Sequence, residues 1–354
     1  MTASAGRVRE ARLTDLAALG DLSRLSHAGD QHRTDGSVRS LGLPVSAGQI
    51  GVFSLFRLPL GAFRPHDLLY VYESERKLAG LLRVERDSYR DEWTIVELDA
   101  VGVGDAGDIR FRLVQHLLRD GAKRGASRFH VACADADGNV ELFMQAGFAR
   151  YGDERILFRP SEQPLPPPPD DEAAAEAGIR PTVPLDALAL SRLYLRATPA
   201  PVARLEAYRL PDWERQGREW RIPRSSLTPV LRFADVEAYV QERPPADGDT
   251  DTLAAFIQVA VAKEDQPHYL RVITRPEHDP SELIAYGLGV IGREGGSRRD
   301  GRTERGVVSA VRTYEAPLDR RLEEASFAPL STVTLLMKET MVRVAEPALV
   351  PVIQ

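Results

Sequence analysis

The chain has 354 residues, 43% hydrophobic and 28% charged, with a formal net charge of −6. That length suits about two domains, the composition is that of a soluble globular protein, and the negative balance argues against broad attraction to nucleic acid. Cys133 is the sole cysteine, which excludes an intramolecular disulfide and a cysteine-built zinc site. No segment approaches the ~18–20 consecutive apolar residues of a membrane span, and residues 1–16 lack the apolar core of a secretory signal. The expected location is the cytoplasm.

In chain order, Arg7–Glu10 reads as a strand. Thr14 and Asp15 offer caps for a helix to about Leu25, with Leu16, Leu19, Leu22 and Leu25 on one face. Ser37–Arg64 is punctuated by Gly and Pro and reads as irregular. Leu68–Glu73, Lys77–Arg86 and Trp93–Val103 are strand candidates, the first two joined in a hairpin by Ser74–Arg76. Ile109–Gly121 carries Ile109, Leu113, Val114, Leu117 and Leu118 at helical spacing. Phe129–Ala134 reads as a buried strand, Asn139–Ala146 as a helix ending at Gly147, and Glu154–Phe158 as a final strand.

The sequence Pro164–Asp171 (PLPPPPDD) is the clearest boundary, because a proline run favours extended polyproline II and makes a semi-rigid spacer. Beyond it the order recurs. Ile179–Pro181 is a strand, Leu185–Arg196 a helix, and Val230–Gln241, Leu253–Ala262 and Tyr269–Arg275 are strands. Glu282–Ile291 is a helix, followed by strand Val307–Arg312, helix Ala316–Glu324 and strand Val333–Lys338. The arginine-bearing loop Gly292–Gly306 also holds acids and glycines, which fits a solvated connection better than a phosphate grip. The boundaries expected are residues 1–160, a Pro/Ala/Glu-rich linker 161–177, a second domain 178–345 and a tail 346–354.

Both copies end in the same way: a helix, a small residue plus Phe (Gly147–Phe148, Ser326–Phe327), then a strand. With the order β-α-βββ-α-β-α-β this resembles the GNAT acetyltransferase superfamily in both halves. The resemblance implies an α+β class with a mixed sheet: two tandem GNAT-like acyl-CoA acyltransferase folds joined by the Pro-rich linker. It implies an acyl-CoA, typically acetyl-CoA, whose pyrophosphate sits on a glycine-bearing loop of pattern Arg/Gln-x-x-Gly-x-Gly/Ala and on the following helix N-terminus. There, free N–H groups and the helix dipole favour an anion.

The family pattern is eroded. In the first half the loop is Val103–Arg110 (VGDAGDIR), where Asp108 and Arg110 fall at glycine positions. Asp108 then reads as a helix N-cap, and Arg110 or Arg112 as a substitute phosphate contact. In the second half the loop is Pro276–Ile284 (PEHDPSELI), whose Asp279, Pro280, Ser281 and Glu282 make a self-capping helix start. The tyrosine that many GNAT enzymes place four residues before the Gly-Phe pair is replaced by Phe143 and Leu322, neither of which has a proton to give.

The resemblance assigns cofactor contacts to Val101, Val103, Gly107, Asp108, Ile109, Arg110, Asn139 and Phe143. Asn139 reads equally as a helix N-cap. Strict alternation along Trp93–Val103 would put Trp93, Ile95, Glu97 and Asp99 on one face, with Glu97 or Asp99 as general base. Tyr151 is an alternative acid if the fold brings it to the site, and otherwise an ordinary strand aromatic. No metal site is expected. The implied activity is acyl transfer to a small-molecule or peptide amine by the first half, with the second half structural; a non-catalytic ligand- or protein-binding module is the alternative. The oligomeric state is open.

Overall fold

The computed structural model describes residues 6–15, 18–19, 67–75, 77–87, 89–101, 106–136, 138–167, 170–215, 222–243, 251–263, 266–294 and 305–340. Most of the expected helix after Asp15, the irregular Ser37–Arg64 stretch, Val103, most of the 292–306 loop and the tail 346–354 lie outside those residues. In the first half, β1 (Arg7–Glu10), β2 (Asp67–Ser74), β3 (Lys77–Asp87) and β4 (Glu92–Ala100) are followed by helix α1 (Ala106–Lys123). Then come β5 (Arg128–Cys133), α2 (Asn139–Gln145) and β6 (Ala149–Arg159).

In the second half, α3 (Asp171–Glu176), β7 (Ile179–Pro181), α4 (Ala187–Ala197), α5 (Ala200–Glu206) and α6 (Leu210–Glu214) precede β8 (Phe233–Glu242). After them come β9 (Leu253–Ala262), β10 (His268–Thr274), α7 (Ser281–Glu294), β11 (Val307–Arg312), α8 (Ala316–Glu324) and β12 (Ala328–Glu339). The sequence pattern did not anticipate α5 and α6. The strand expected from Val230 starts instead at Phe233, because Val230 and Leu231 donate back to the Leu227 carbonyl and close a turn.

Among the described residues, twelve strands form one sheet, in the order β1-β2-β3-β4-β5-β12-β6-β11-β10-β9-β8-β7. The pairs β4–β5 and β10–β11 are parallel, and the other pairs are antiparallel. The order is palindromic about the central β12–β6 pair. Each half lends its last strand to the other: β12 pairs with β5, and β6 pairs with β11.

Side chains repeat the exchange. Lys338 on β12 donates to the Ala146 carbonyl at the end of α2 (2.6 Å), and Arg159 on β6 donates to the Ala325 carbonyl at the end of α8 (3.0 Å). A cation at a helix C-terminus meets free carbonyls and the negative end of the dipole, so each half caps the other's last helix. The duplication is equally plain at the outer edges. Arg9 bonds Asp15 through both terminal nitrogens and reaches Glu73; Arg180 does the same with Asp186 and Glu242.

On one face, α1 lays Ile109, Leu113, Val114, Leu117 and Leu118 over β2–β5, and α7 covers β9–β11 in the same way. Gly121 is required where α1 crosses β5, since a Cβ there would stand 2.5 Å from the Phe129 ring. On the other face, Val96 and Ala132 from the first half share one apolar cluster with Leu227, Val230, Leu231 and Val308 from the second. Leu165 and Ala174 join the second half's core, so the residues around the proline run pack onto that half.

Candidate active site

Strands β4 and β5 run in parallel register from Glu92↔Arg128 to Ile95↔Val131, where their pairing stops. At that parting lies a small, open-mouthed cleft. The first half contributes Thr94–Val96, His130–Ala132 and Tyr151; the second contributes Arg224–Ser226, Pro229, Val230 and Leu335. The cleft is therefore built by both halves.

A β-bulge decides which side chains share its face. The β3–β4 register passes from Arg83↔Glu97 to Val84↔Ile95 and leaves Val96 without an opposite residue. An extra residue in one strand reverses the alternation beyond it. Trp93, Ile95, Leu98 and Ala100 consequently all enter the core under α1. Glu97 and Asp99 do not share the face of Trp93 and Ile95, as strict alternation had required; they lie on the opposite face, with Thr94. Glu97 is 3% exposed and ion-paired with Arg83 at 3.0 Å. Asp99 is fully buried.

Tyr151 is brought to the cleft by β6, with the Arg312 guanidinium 5.7 Å from its ring centroid. Burial raises its phenol pKa, so it stays protonated at neutral pH.

The remaining predicted cofactor residues divide. Gly107 is exposed in the first turn of α1, and among the described residues no atom outside its own helix backbone and chain neighbours lies within 4 Å of the place a Cβ would occupy. Asp108 is not a cap: the helix begins at Ala106, and this exposed carboxylate pairs with Arg112 at 2.7 Å. Arg110 and Ile109 turn inward, and Arg110 donates to the Asn139 side chain in the interior. Asn139 is not a cap either, since Gly138 holds that position with φ 68°. Val101 continues past β4, donating to Ala79 O at 2.9 Å. Phe143 is buried against Phe148, and Leu322 is equally buried in the second half's core.

The equivalent helix start in the second half is filled by its own residues. The Asp279 carboxylate accepts from the Ser281 N–H (3.0 Å) and hydroxyl (2.6 Å) and pairs with Arg321 at 2.9 Å. This is the self-capped start that the sequence pattern predicted.

Solved structures match the architecture over nearly the whole chain. A tandem GNAT protein from the clavulanic acid biosynthesis pathway superposes with a TM-score of 0.53 at 15% identity, covering 95% of this chain and 98% of that one. The chain has the tandem GNAT fold. A GCN5-related N-acetyltransferase from Sphaerobacter thermophilus matches at 0.51 and 15% identity, over 94% and 95% of the two chains. No protein-family model matches the sequence, and no curated protein matches it.

Within this tandem GNAT fold, the junction of the halves is an ionic network that sequence patterns did not reveal. Glu92, 2% exposed, is reached by Arg90 (2.9 Å), Arg128 (3.4 Å) and Arg224. Desolvation would raise its carboxyl, but Arg224, the His130 ring and Arg90 outweigh it and hold that carboxyl far below the usual range. Arg224 also donates to the Thr94 hydroxyl (2.8 Å). Arg312 spans Glu154 (3.1 Å), Glu206 (2.9 Å) and the Arg224 carbonyl (2.8 Å). Glu154 also accepts from the Ser226 N–H at 2.6 Å. The segment from Arg224 to Ser226 is thus pinned to both halves. Its sequence signal is weak, because Arg224 and its partners are far apart in the chain.

No helix among the described residues is long and apolar enough to cross a membrane. No group of three or more metal-ligating side chains forms among them.

Proposed function

We propose that the chain is an acyl-CoA-dependent N-acyltransferase whose chemistry belongs to the first half. The observation that carries this reading is the asymmetry of the two helix starts. Among the described residues the first turn of α1 is open at Gly107, whereas at the start of α7 Asp279 takes the Ser281 N–H and pairs with Arg321. The residues present fit an acyl-CoA at that first turn, where unpaired N–H groups and the dipole favour phosphate. Arg110 is committed to Asn139 in the interior, so the nearby guanidinium for a phosphate contact is that of Arg112, which the phosphate would draw from its exposed pair with Asp108.

When bound, an acyl-CoA supplies an activated acyl thioester. Glu97 Oε accepts the proton of the acceptor amine, directly or through water, and Arg83 fixes its position. Tyr151 Oη gives a proton to the departing sulfur, the role for which Phe143 is unsuited. The Arg224–Val230 segment closes the far wall of the cleft and limits water. The acceptor is a small-molecule or peptide amine, the setting is cytoplasmic, and the second half serves as scaffold.

The test is thiol release from acetyl-CoA across a panel of amines. Release above the enzyme-free rate is expected, with Glu97→Gln and Tyr151→Phe each lowering turnover by about 10²-fold. A second reading, a non-catalytic binding module, is favoured by the sealing of Phe143 and Leu322 into the two cores. It predicts binding without thiol release for every amine.

A further inference from the structure

Three groups around the cleft stand out, because burial makes an unmet hydrogen bond costly. Ser226 and His130 are 3% and 4% exposed. The Ser226 hydroxyl and both ring nitrogens of His130 lack a hydrogen-bond partner among the described residues. Glu92 Oε2 lies 3.4 Å from His130 Nε2, which leaves Nδ1 as the freer nitrogen. Both residues line the cleft, one from each half, and Tyr151 adds a neutral phenol.

The charges nearby are already answered. Arg224 is taken by Glu92 and Thr94, Arg312 by Glu154 and Glu206, and Arg90 by Glu92 and Asp212. Glu92, beside His130, is shared among three guanidiniums, and Glu154, beside Ser226, is paired with Arg312, so an incoming ammonium finds both carboxylates already engaged. An incoming carboxylate would have to break an existing ion pair. Of the other polar lining side chains, Thr94 accepts from Arg224, and Ser225 accepts from Tyr269 and from the Leu227 and Thr228 N–H groups; the remainder is apolar, with Ile95, Val96, Val131, Val230 and Leu335.

We propose that this cleft is an acceptor subsite for a small uncharged hydrogen-bonding group, an amide or hydroxyl, selected by His130 of the first half and Ser226 of the second. Resting on the acyl-transfer reading above, this assigns the acceptor to amines that carry such a group beside the reacting nitrogen, not to polycations. The second half is then part of substrate selection as well as scaffold.

The test titrates the full chain, with 15N-labelled histidine, with N-methylacetamide, methylammonium and acetate in turn; the His130 signals are assigned by their loss in His130→Gln. N-methylacetamide is expected to shift the His130 ring nitrogens, and Ser226→Ala to weaken that binding about 3- to 10-fold. Methylammonium and acetate should leave His130 unmoved. The proposal is overturned if N-methylacetamide does not perturb His130, if Ser226→Ala leaves its affinity unchanged, or if methylammonium binds there instead. Calorimetry with acetyl-CoA on the same sample separates the two ideas. Heat from acetyl-CoA without amide binding removes the subsite alone, and amide binding without that heat removes the acyl-transfer reading alone.

Discussion

Arg312 is the residue on which most of the junction hangs, because its guanidinium is the common partner of Glu154, Glu206 and the Arg224 carbonyl. Truncating it strands two buried carboxylates, so Arg312→Ala should destabilise the protein by about 3–5 kcal/mol in urea unfolding. A loss under 1 kcal/mol would mean that the network is solvated. Two buried histidines give the stability a pH signature. Burial, aided by Arg224, pushes His130 down to about 4 against the pull of Glu92, and burial beside Arg305 does the same to His268. Both are neutral in the folded chain and bind protons more readily when unfolded. Their contribution is therefore full above pH ~6.5 and is lost as pH falls towards 4, at about 2–3 kcal/mol per histidine. Denaturation midpoints across pH 4–8 should fall with acidification, and His130→Gln should flatten the slope. Little of this was legible beforehand: His130 sits in an apolar run, and its neighbours Glu92 and Arg224 are brought to it only by the fold.

At the scale of elements, the last helix of each half ends in the same backbone turn. Gly147 takes φ 86° and Ser326 takes φ 68°, and the following Phe N–H returns to the helix in both: Phe148 to Phe143 O, Phe327 to Leu322 O. A serine in the left-handed region carries a steric cost that glycine avoids, so Ser326→Gly should stabilise by about 0.5–1 kcal/mol. Gly147→Ser should do the reverse; unchanged melting of both variants would contradict this account. That pairing of small residue and Phe was visible in the sequence, because turn chemistry is local. The bulge at Val96 was not. The run from Trp93 to Val103 alternates well enough to suggest a regular strand, and only the β3 register exposes the extra residue that turns Glu97 and Asp99 to the other face.

For the molecule as a whole, the exchange of β6 and β12 makes the halves interdependent. A fragment of residues 1–160 would leave β5 without β12 and β6 without either partner, presenting long unpaired edges. It should be insoluble or unfolded alone and be recovered as a 1:1 complex when co-expressed with residues 161–354. A monomeric, cooperatively folded fragment would contradict the exchange. The duplication and the element order could be read from periodicity and from the paired helix endings. The exchange could not, since the hydrophobic pattern of a strand is the same whichever neighbour it pairs with. The central functional claim is that one half retains a phosphate-accepting helix start and the other has closed it. Calorimetric titration of the full chain with acetyl-CoA tests this most directly. The account predicts a single site per chain, lost in Gly107→Leu, whose Cβ meets no atom of the described residues beyond its own helix and chain neighbours, and kept in Asp279→Ala. Absence of heat, two sites per chain, or binding that survives Gly107→Leu and vanishes in Asp279→Ala would contradict it.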